Sequence, residues 1–481
     1  MGALWTFEPF RQAVGGNFEG APPADIAGIS IDTRTIAPGE AFFAITGERM
    51  DGHDFAVRAV EAGAAVAVVS ASKRGRLGGD GPFLVLDDDP LDGLVRLGLA
   101  SRARSTAGIV AVTGSVGKTS TKEMLRTALS SAGLTHTPVG SFNNHWGVPL
   151  TLARMPEDAK FAVFEIGMNH SGEIRPLTRM VRPDIAVITN VEKVHAEYFD
   201  SVEGIADAKA EIFEGLEAGG TAILNRDNPW FDHLAGKAGA CGARIVSFGE
   251  HGKADVRLVR TTLGEATSVV EVSVGGHIMV YKLGAPGRHL VMNSLAVIAV
   301  AQELDLDLAQ VGLSLAGFSA PRGRGERIRL RHGSGGPMLL IDESYNANPA
   351  SMRAALALLA QTNPPTGRGR RIAVLGDMLE LGDEANEVHR DLQGPLEEAG
   401  ADLVFLAGPL MKSLWEVLPD RCRGAYATSA EELEPILLKA LGPGDVIVAK
   451  ASAGTRLGPV VQALRARFMP EQPESPDGQN A

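Results

Sequence analysis

Cysteine is almost missing from this 481-residue chain: Cys241 and Cys422 are too few and too isolated for a disulfide framework or a zinc site. Both are expected to be packing residues in a reducing compartment. An excess of positive charge is also lacking. Lys and Arg total 46 against 58 Asp and Glu, and the net charge of −12 argues against nucleic acid or an anionic membrane as main partner. If the ligands are phosphates, their positive contacts must be local. No apolar run approaches the roughly 20 residues that a membrane span needs. The N-terminus, with Glu8 and no basic-then-apolar pattern, does not read as a signal peptide, so a cytoplasmic location is expected. No internal repeat of fixed period occurs.

What remains is ordinary globular material, 44% apolar and 22% charged, long enough for about two to four domains. Three blocks emerge. Residues 1–105 contain short strands such as Val66 to Val69 and Phe83 to Leu86, then an Ala/Arg-rich helical stretch. Residues 106–320 alternate strand and helix, with strands expected at Ile109 to Val112, Phe161 to Glu165, Ile185 to Thr189 and Thr221 to Leu224. That alternation predicts a parallel sheet covered on both faces. Pro321, Gly323 and Gly325 suit a linker, after which residues 321–468 resume alternation at Met338 to Ile341, Ile372 to Leu375, Leu403 to Leu406 and Val446 to Ala449. The fold class is therefore α/β, with two open sheets behind a smaller N-terminal domain. Residues 469–481 lack apolar periodicity and are expected to be a disordered tail.

The most informative stretch is Thr113-Gly114-Ser115-Val116-Gly117-Lys118-Thr119. It lies between a buried strand and a helix whose Met124, Leu125, Ala128 and Leu129 recur at helical spacing. A glycine loop opening a helix offers backbone N–H groups and the helix dipole to an anion. Lys118 is placed to reach terminal phosphates and the Thr119 hydroxyl to hold Mg²⁺. The common phosphate loop carries a further glycine where this chain has Val112, so the loop is a shorter variant.

Ligands of an open parallel sheet gather beyond the carboxyl ends of its strands. Glu165 closes one strand, and His195 lies in the loop after the strand ending at Thr189-Asn190. With Thr119 they form a candidate cation shell, since hydroxyl and carboxylate oxygens suit Mg²⁺ and one imidazole is tolerable. Lys209 falls inside an apolar stripe of Ile205, Ile212, Phe213 and Leu216 that reads as one helix. Taken alone, such a lysine snorkels to solvent or pairs with an acid. If buried, it can lose its proton and react with carbon dioxide to give an anionic carbamate.

With these residues in place the chain resembles the Mur ligases, ATP-dependent amide-forming enzymes of peptidoglycan precursor synthesis. The motifs carrying the resemblance are the glycine loop, Phe142-Asn143-Asn144 before Gly147-Val148-Pro149, Glu165-Ile166-Gly167-Met168-Asn169-His170, and Ala208-Lys209-Ala210-Glu211-Ile212-Phe213. Glu343-Ser344-Tyr345-Asn346-Ala347-Asn348-Pro349 and Gly376-Asp377-Met378-Leu379-Glu380-Leu381-Gly382 point to the member that adds D-alanyl-D-alanine to a UDP-N-acetylmuramoyl-tripeptide.

The resemblance implies an N-terminal UDP-binding domain, a central ATPase domain with a phosphate loop, and a C-terminal Rossmann-like ligase domain. It implies ATP, two Mg²⁺ ions, an acyl phosphate intermediate and action as a monomer. Lys118 would stabilise the transferring phosphoryl group. Thr119, Glu165, His195 and N-carboxylated Lys209 would hold metal. Asn293 resembles the adenine-contacting asparagine, Arg324 the linker arginine that reaches phosphates on domain closure, and Glu343 stands where an aspartate contacts ribose. Thr33 and Arg34 would bind the UDP-linked substrate, a hydroxyl and a guanidinium suiting a diphosphate. Asn143, Asn144, Tyr345 and Asn346 would also face substrate. Departures from the family pattern occur at Glu343, at Leu290 (usually asparagine), at His145-Trp146 and at Lys450-Ala451-Ser452. Two rivals are a folylpolyglutamate synthase, for which no pteridine-pocket sequence stands out, and a nucleotide-hydrolysing switch, in which Lys209 and the third block have no evident purpose.

Overall fold

Runs such as Ile109 to Val112, Phe161 to Phe164 and Ile185 to Ile188 are apolar without alternation, which suits parallel strands buried on both faces. A computed structural model of the chain describes residues 2–79, 81–194 and 197–468, so His195 and residues 469–481 lie outside the described residues. Among the described residues, the central sheet has nine strands. Their order is His277–Leu283, Ser268–Val274, Val256–Leu263, Arg244–Gly249, Thr221–Asn225, Ile185–Ile188, Gly108–Thr113, Phe161–Glu165 and Thr135–His136.

Pairing is parallel from Thr135–His136 across to Val256–Leu263, which places the carboxyl ends of Gly108–Thr113, Phe161–Glu165 and Ile185–Ile188 side by side. Beyond Val256–Leu263, Ser268–Val274 pairs antiparallel with both its neighbours, a departure from the expected all-parallel sheet. The physical reason is visible in their burial. Val270 and Val272 face the core while Val269 and Val280 face solvent, the alternation that a one-sided antiparallel sheet supports. One core layer packs Met124, Leu125 and Leu129 against Leu295 and Ile298, and the opposite layer holds Phe164, Ile174, Leu177 and Phe213.

The C-terminal sheet has the order Glu326–Arg331, Pro337–Glu343, Val446–Lys450, Arg371–Gly376, Leu403–Ala407 and Arg423–Ala427, parallel except for its first pair. Register sets Glu343 beside Lys450 at the carboxyl edge. The N-terminal sheet runs Asn17–Glu19, Phe83–Leu86, Val66–Ser70, Glu40–Phe43 and Gly28–Ser30. The helix Pro90–Arg104, capped by the Asp89 side chain and started by a proline, ties that sheet to the central one. Its Arg102 donates to the carbonyls of Val181 and Arg182. Among the described residues no helix is long and apolar enough to cross a membrane.

The apolar stripe around Lys209 does not form a single α-helix. The helix Val202–Ala210 tightens into a 3₁₀ segment, Glu211–Gly215, and Leu216 is already extended. The turn is set by Glu211, whose buried carboxylate accepts the N–H groups of Gly172 and Arg175 beside the helix Ile174–Val181.

Candidate functional site

The glycine loop leaves the strand Gly108–Thr113 and enters the helix Lys118–Ser130. Two of its glycines are obligatory. Gly117 has φ 88° at the helix start, and a Cβ there would lie 2.7 Å from Asn293 Oδ1. Gly114, at φ 148°, would drive a Cβ into the Thr189 hydroxyl. Not every loop amide awaits an anion: Ser115 N–H donates to the Asn190 carbonyl at 3.1 Å and Val116 N–H to Asn190 Oδ1 at 2.9 Å. The Ser115 hydroxyl donates to the Glu192 carbonyl. Asn190 therefore shapes the loop, and the anion-attracting end is the first turn of the helix.

That turn carries Lys118 and Thr119. Lys118 curls back to donate to the Gly114 carbonyl at 2.6 Å. Burial lowers its pKa, the nearby Glu165 carboxylate opposes that, and Arg324 lowers it further. Thr119 Oγ1 donates to Glu165 Oε2 at 2.9 Å, and Asn143 Nδ2 donates to Glu165 Oε1 at 2.8 Å. Both carboxylate oxygens are thus oriented, and Thr119 and Glu165 are buried. Lys209 is 2% exposed, and burial, followed by the charge of Lys118, holds its pKa well below the usual lysine range. Among the described residues no three His, Cys, Asp or Glu side chains converge on a metal position. A hydroxyl and a carboxylate alone fit a hard cation that takes its remaining ligands from phosphate and water.

A cavity of about 590 Å³ opens over this turn. Its volume falls in the range of small-molecule sites. Ser115, Val116, Gly117, Lys118, Asn143, Glu165 and Asn293 line it from the central sheet, and Arg324, Glu343, Tyr345 and Asn346 from beyond the linker. Arg324 stacks on Tyr345 at 4.1 Å and its Nη2 donates to Ser141 Oγ at 3.3 Å. An ion pair between Lys193 and Glu384 also bridges the two sheets. Lys450, 2% exposed, donates to the Asn346 carbonyl at 2.9 Å and approaches Glu343 Oε2 at 3.4 Å. Burial lowers its pKa, Glu343 opposes the shift and Arg324 adds to it.

Several expected residues lie elsewhere. Thr113, Gly114, Thr119 and Lys209 do not line the cavity, and Thr113, Thr119 and Lys209 are buried. Leu290 packs in the core. Asn144 starts the helix Gly147–Ala153, its Oδ1 accepting from Gly147 N–H at 2.9 Å. Thr33 and Arg34 belong to the N-terminal sheet's loops. Arg34 is in an exposed ion pair with Asp32 at 2.6 Å and does not line the cavity. Sequence reasoning did not single out Ser141 or Asn190. Asn190 follows a buried run at a strand's carboxyl end, the signal that marked Glu165. Ser141 had no signal beyond standing two residues before Asn143.

Three family models match the chain: Mur ligase middle domain over residues 112–301, Mur ligase, glutamate ligase domain over 323–453, and Mur ligase family, catalytic domain over 25–76. The UDP-N-acetylmuramoyl-tripeptide–D-alanyl-D-alanine ligase of Rickettsia prowazekii is 32% identical over 435 residues, 90% of this chain and 94% of that protein. A crystal structure of MurF from Acinetobacter baumannii superposes with TM-score 0.82 at 31% identity, covering 96% of this chain and 99% of the other. MurF ligase from Thermotoga maritima in complex with ADP gives TM-score 0.75 at 25% identity, over 92% and 97%.

Proposed function

The chain belongs to the Mur ligase family, and we propose that its cavity uses ATP to join D-alanyl-D-alanine to the peptide carboxylate of a UDP-N-acetylmuramoyl-tripeptide. The observation that carries this reading is the meeting, over one helix turn, of Lys118, the Thr119–Glu165 pair and Arg324 from across the linker. The carboxylate attacks the γ-phosphorus and ADP leaves, giving an acyl phosphate. The dipeptide amine then attacks the acyl carbon, loses a proton and expels phosphate. Such chemistry needs positioning and charge neutralisation rather than a covalent nucleophile.

Lys118 and Arg324 supply the cationic contacts to the phosphates. Thr119 and Glu165 would hold one Mg²⁺, and Lys209, with His195, would help to hold a second. Bound Mg²⁺ supplies charge neutralisation at the phosphate oxygens. A neutral Lys209 amine attacks CO₂, forming an N–C bond and releasing one proton, which leaves an anionic oxygen ligand where an ammonium would repel the cation. Asn293 and Glu343 take the nucleoside. Asn143, Tyr345 and Asn346 face the muramoyl peptide, Asn144 shapes the turn into the helix Gly147–Ala153 that follows Asn143 in sequence, and Thr33 with Arg34 receives the diphosphate. The domains divide as 1–105, 106–320 and 321–468, in a cytoplasmic monomer. Phosphate release is the test: it is expected only when both UDP-muramoyl-tripeptide and D-alanyl-D-alanine accompany ATP. Release indifferent to both points to a nucleotide-hydrolysing switch and overturns the ligase reading.

A further inference from the structure

Residues 138–143 run between the two sides of the cavity, and their anchoring is specific. Lys122 stands one helical turn beyond Lys118, its side chain fully buried. Its ammonium donates to the carbonyls of Pro138 at 3.1 Å and Gly140 at 2.7 Å and pairs with Glu123 at 2.8 Å. Three acceptors use all three of its N–H donors. The clamp fixes the chain immediately before Ser141.

Ser141 Oγ lies 3.4 Å from Thr119 Oγ1 and 3.3 Å from Arg324 Nη2. The direction of these bonds follows from donor counting. A guanidinium only donates and a carboxylate only accepts. Thr119 has one hydroxyl proton and gives it to Glu165 at 2.9 Å, so the Ser141 proton points to Thr119. A one-way chain therefore runs Arg324, Ser141, Thr119, Glu165, crossing from the linker to the central sheet. Thr119 keeps a second lone pair for a cation, so the chain is compatible with metal on that hydroxyl. Arg324 is braced at its other side by the Tyr345 ring.

We propose that Ser141 is a positioning residue that couples the phosphate site on the central sheet to the seating of Arg324. The inference rests on the roles given above to Thr119 and Arg324. It makes the hydroxyl of Ser141 part of how the third domain is held against the nucleotide.

The test is a double-mutant cycle on the full chain, reading kcat, the KM for the muramoyl substrate, and calorimetric affinity for a non-hydrolysable ATP analogue with Mg²⁺. Ser141→Ala is expected to lower kcat about tenfold and weaken the analogue, with the muramoyl KM moving less than about twofold. Ser141→Thr, which keeps the hydroxyl, should return kcat to within about threefold of the unaltered chain. Arg324→Ala combined with Ser141→Ala should be no slower than Arg324→Ala alone, within about twofold. Multiplying effects overturn the coupling and leave the reaction assignment intact. Arg324→Ala as active as the unaltered chain overturns the coupling together with the phosphate-site reading beneath it. Should alanine melt the loop, Ser141→Cys run through the same cycle gives the same decision.

Discussion

Lys209 of the central domain and Lys450 of the C-terminal sheet are equally buried, each 2% exposed, yet their surroundings are opposite. Lys450 has the Asn346 carbonyl and the Glu343 carboxylate. The Lys209 ammonium has no hydrogen bond or ion pair among the described residues, and the charge that acts on it is another cation, Lys118. An ammonium away from water and without an acceptor is costly, which is why burial lowers its pKa. Burial alone thus says little about a lysine's purpose. The partners say more: Lys450 finds its acceptors within the fold, while none is found for the Lys209 ammonium among the described residues.

The contrast breaks most sharply under Lys209→Ala. A fall in kcat of about 10³-fold is expected, with partial recovery when short-chain carboxylic acids are added. Steady-state assays with and without acetate or propionate read this, and no recovery would make Lys209 as ordinary as Lys450. On the other sheet, Glu343→Gln should raise the KM for ATP about tenfold while kcat stays within about threefold. A kcat loss instead would mean that both sheets carry chemistry.

Stability sharpens the comparison in the other direction. Between the lowered folded pKa of Lys209 and about 10.4, the unfolded chain binds a proton that the folded chain does not, so stability rises with pH across that window. Lys209→Met should therefore raise the melting temperature of the ligand-free protein by roughly 2–4 °C near neutral pH, an advantage shrinking as pH approaches 10. Lys450→Met strands Glu343 and should bring no such gain; calorimetric melts from about neutral pH to about pH 10 distinguish them. The smallest effect is expected at Arg34, whose partner Asp32 is at the surface. Arg34→Ala should leave the melting temperature unchanged and raise the KM for the UDP-linked substrate about threefold to fivefold.

The strand ends were legible because a doubly covered parallel strand is a continuous apolar run, and a polar residue closing it is conspicuous. Glu165 and the glycine loop were found in this way. The hairpin strands after Val256 were not, since Val269 and Ile278 look like core in sequence but face solvent. The break of helix after Ala210 depends on Glu211 capping a helix 36 residues earlier at Arg175, which no local pattern carries. Ser141 is similar: its neighbours Thr119 and Arg324 are brought together only by the meeting of the two sheets.

The close approach of Gly114 to Thr189 and of Gly117 to Asn293 has a consequence for drug resistance. A compound lodged against Gly117 would meet a position where positive φ and the close Asn293 side chain strain any other residue. Substitution there is disfavoured. Resistance is expected instead at other lining positions, such as Val116 or Met168, or across the linker.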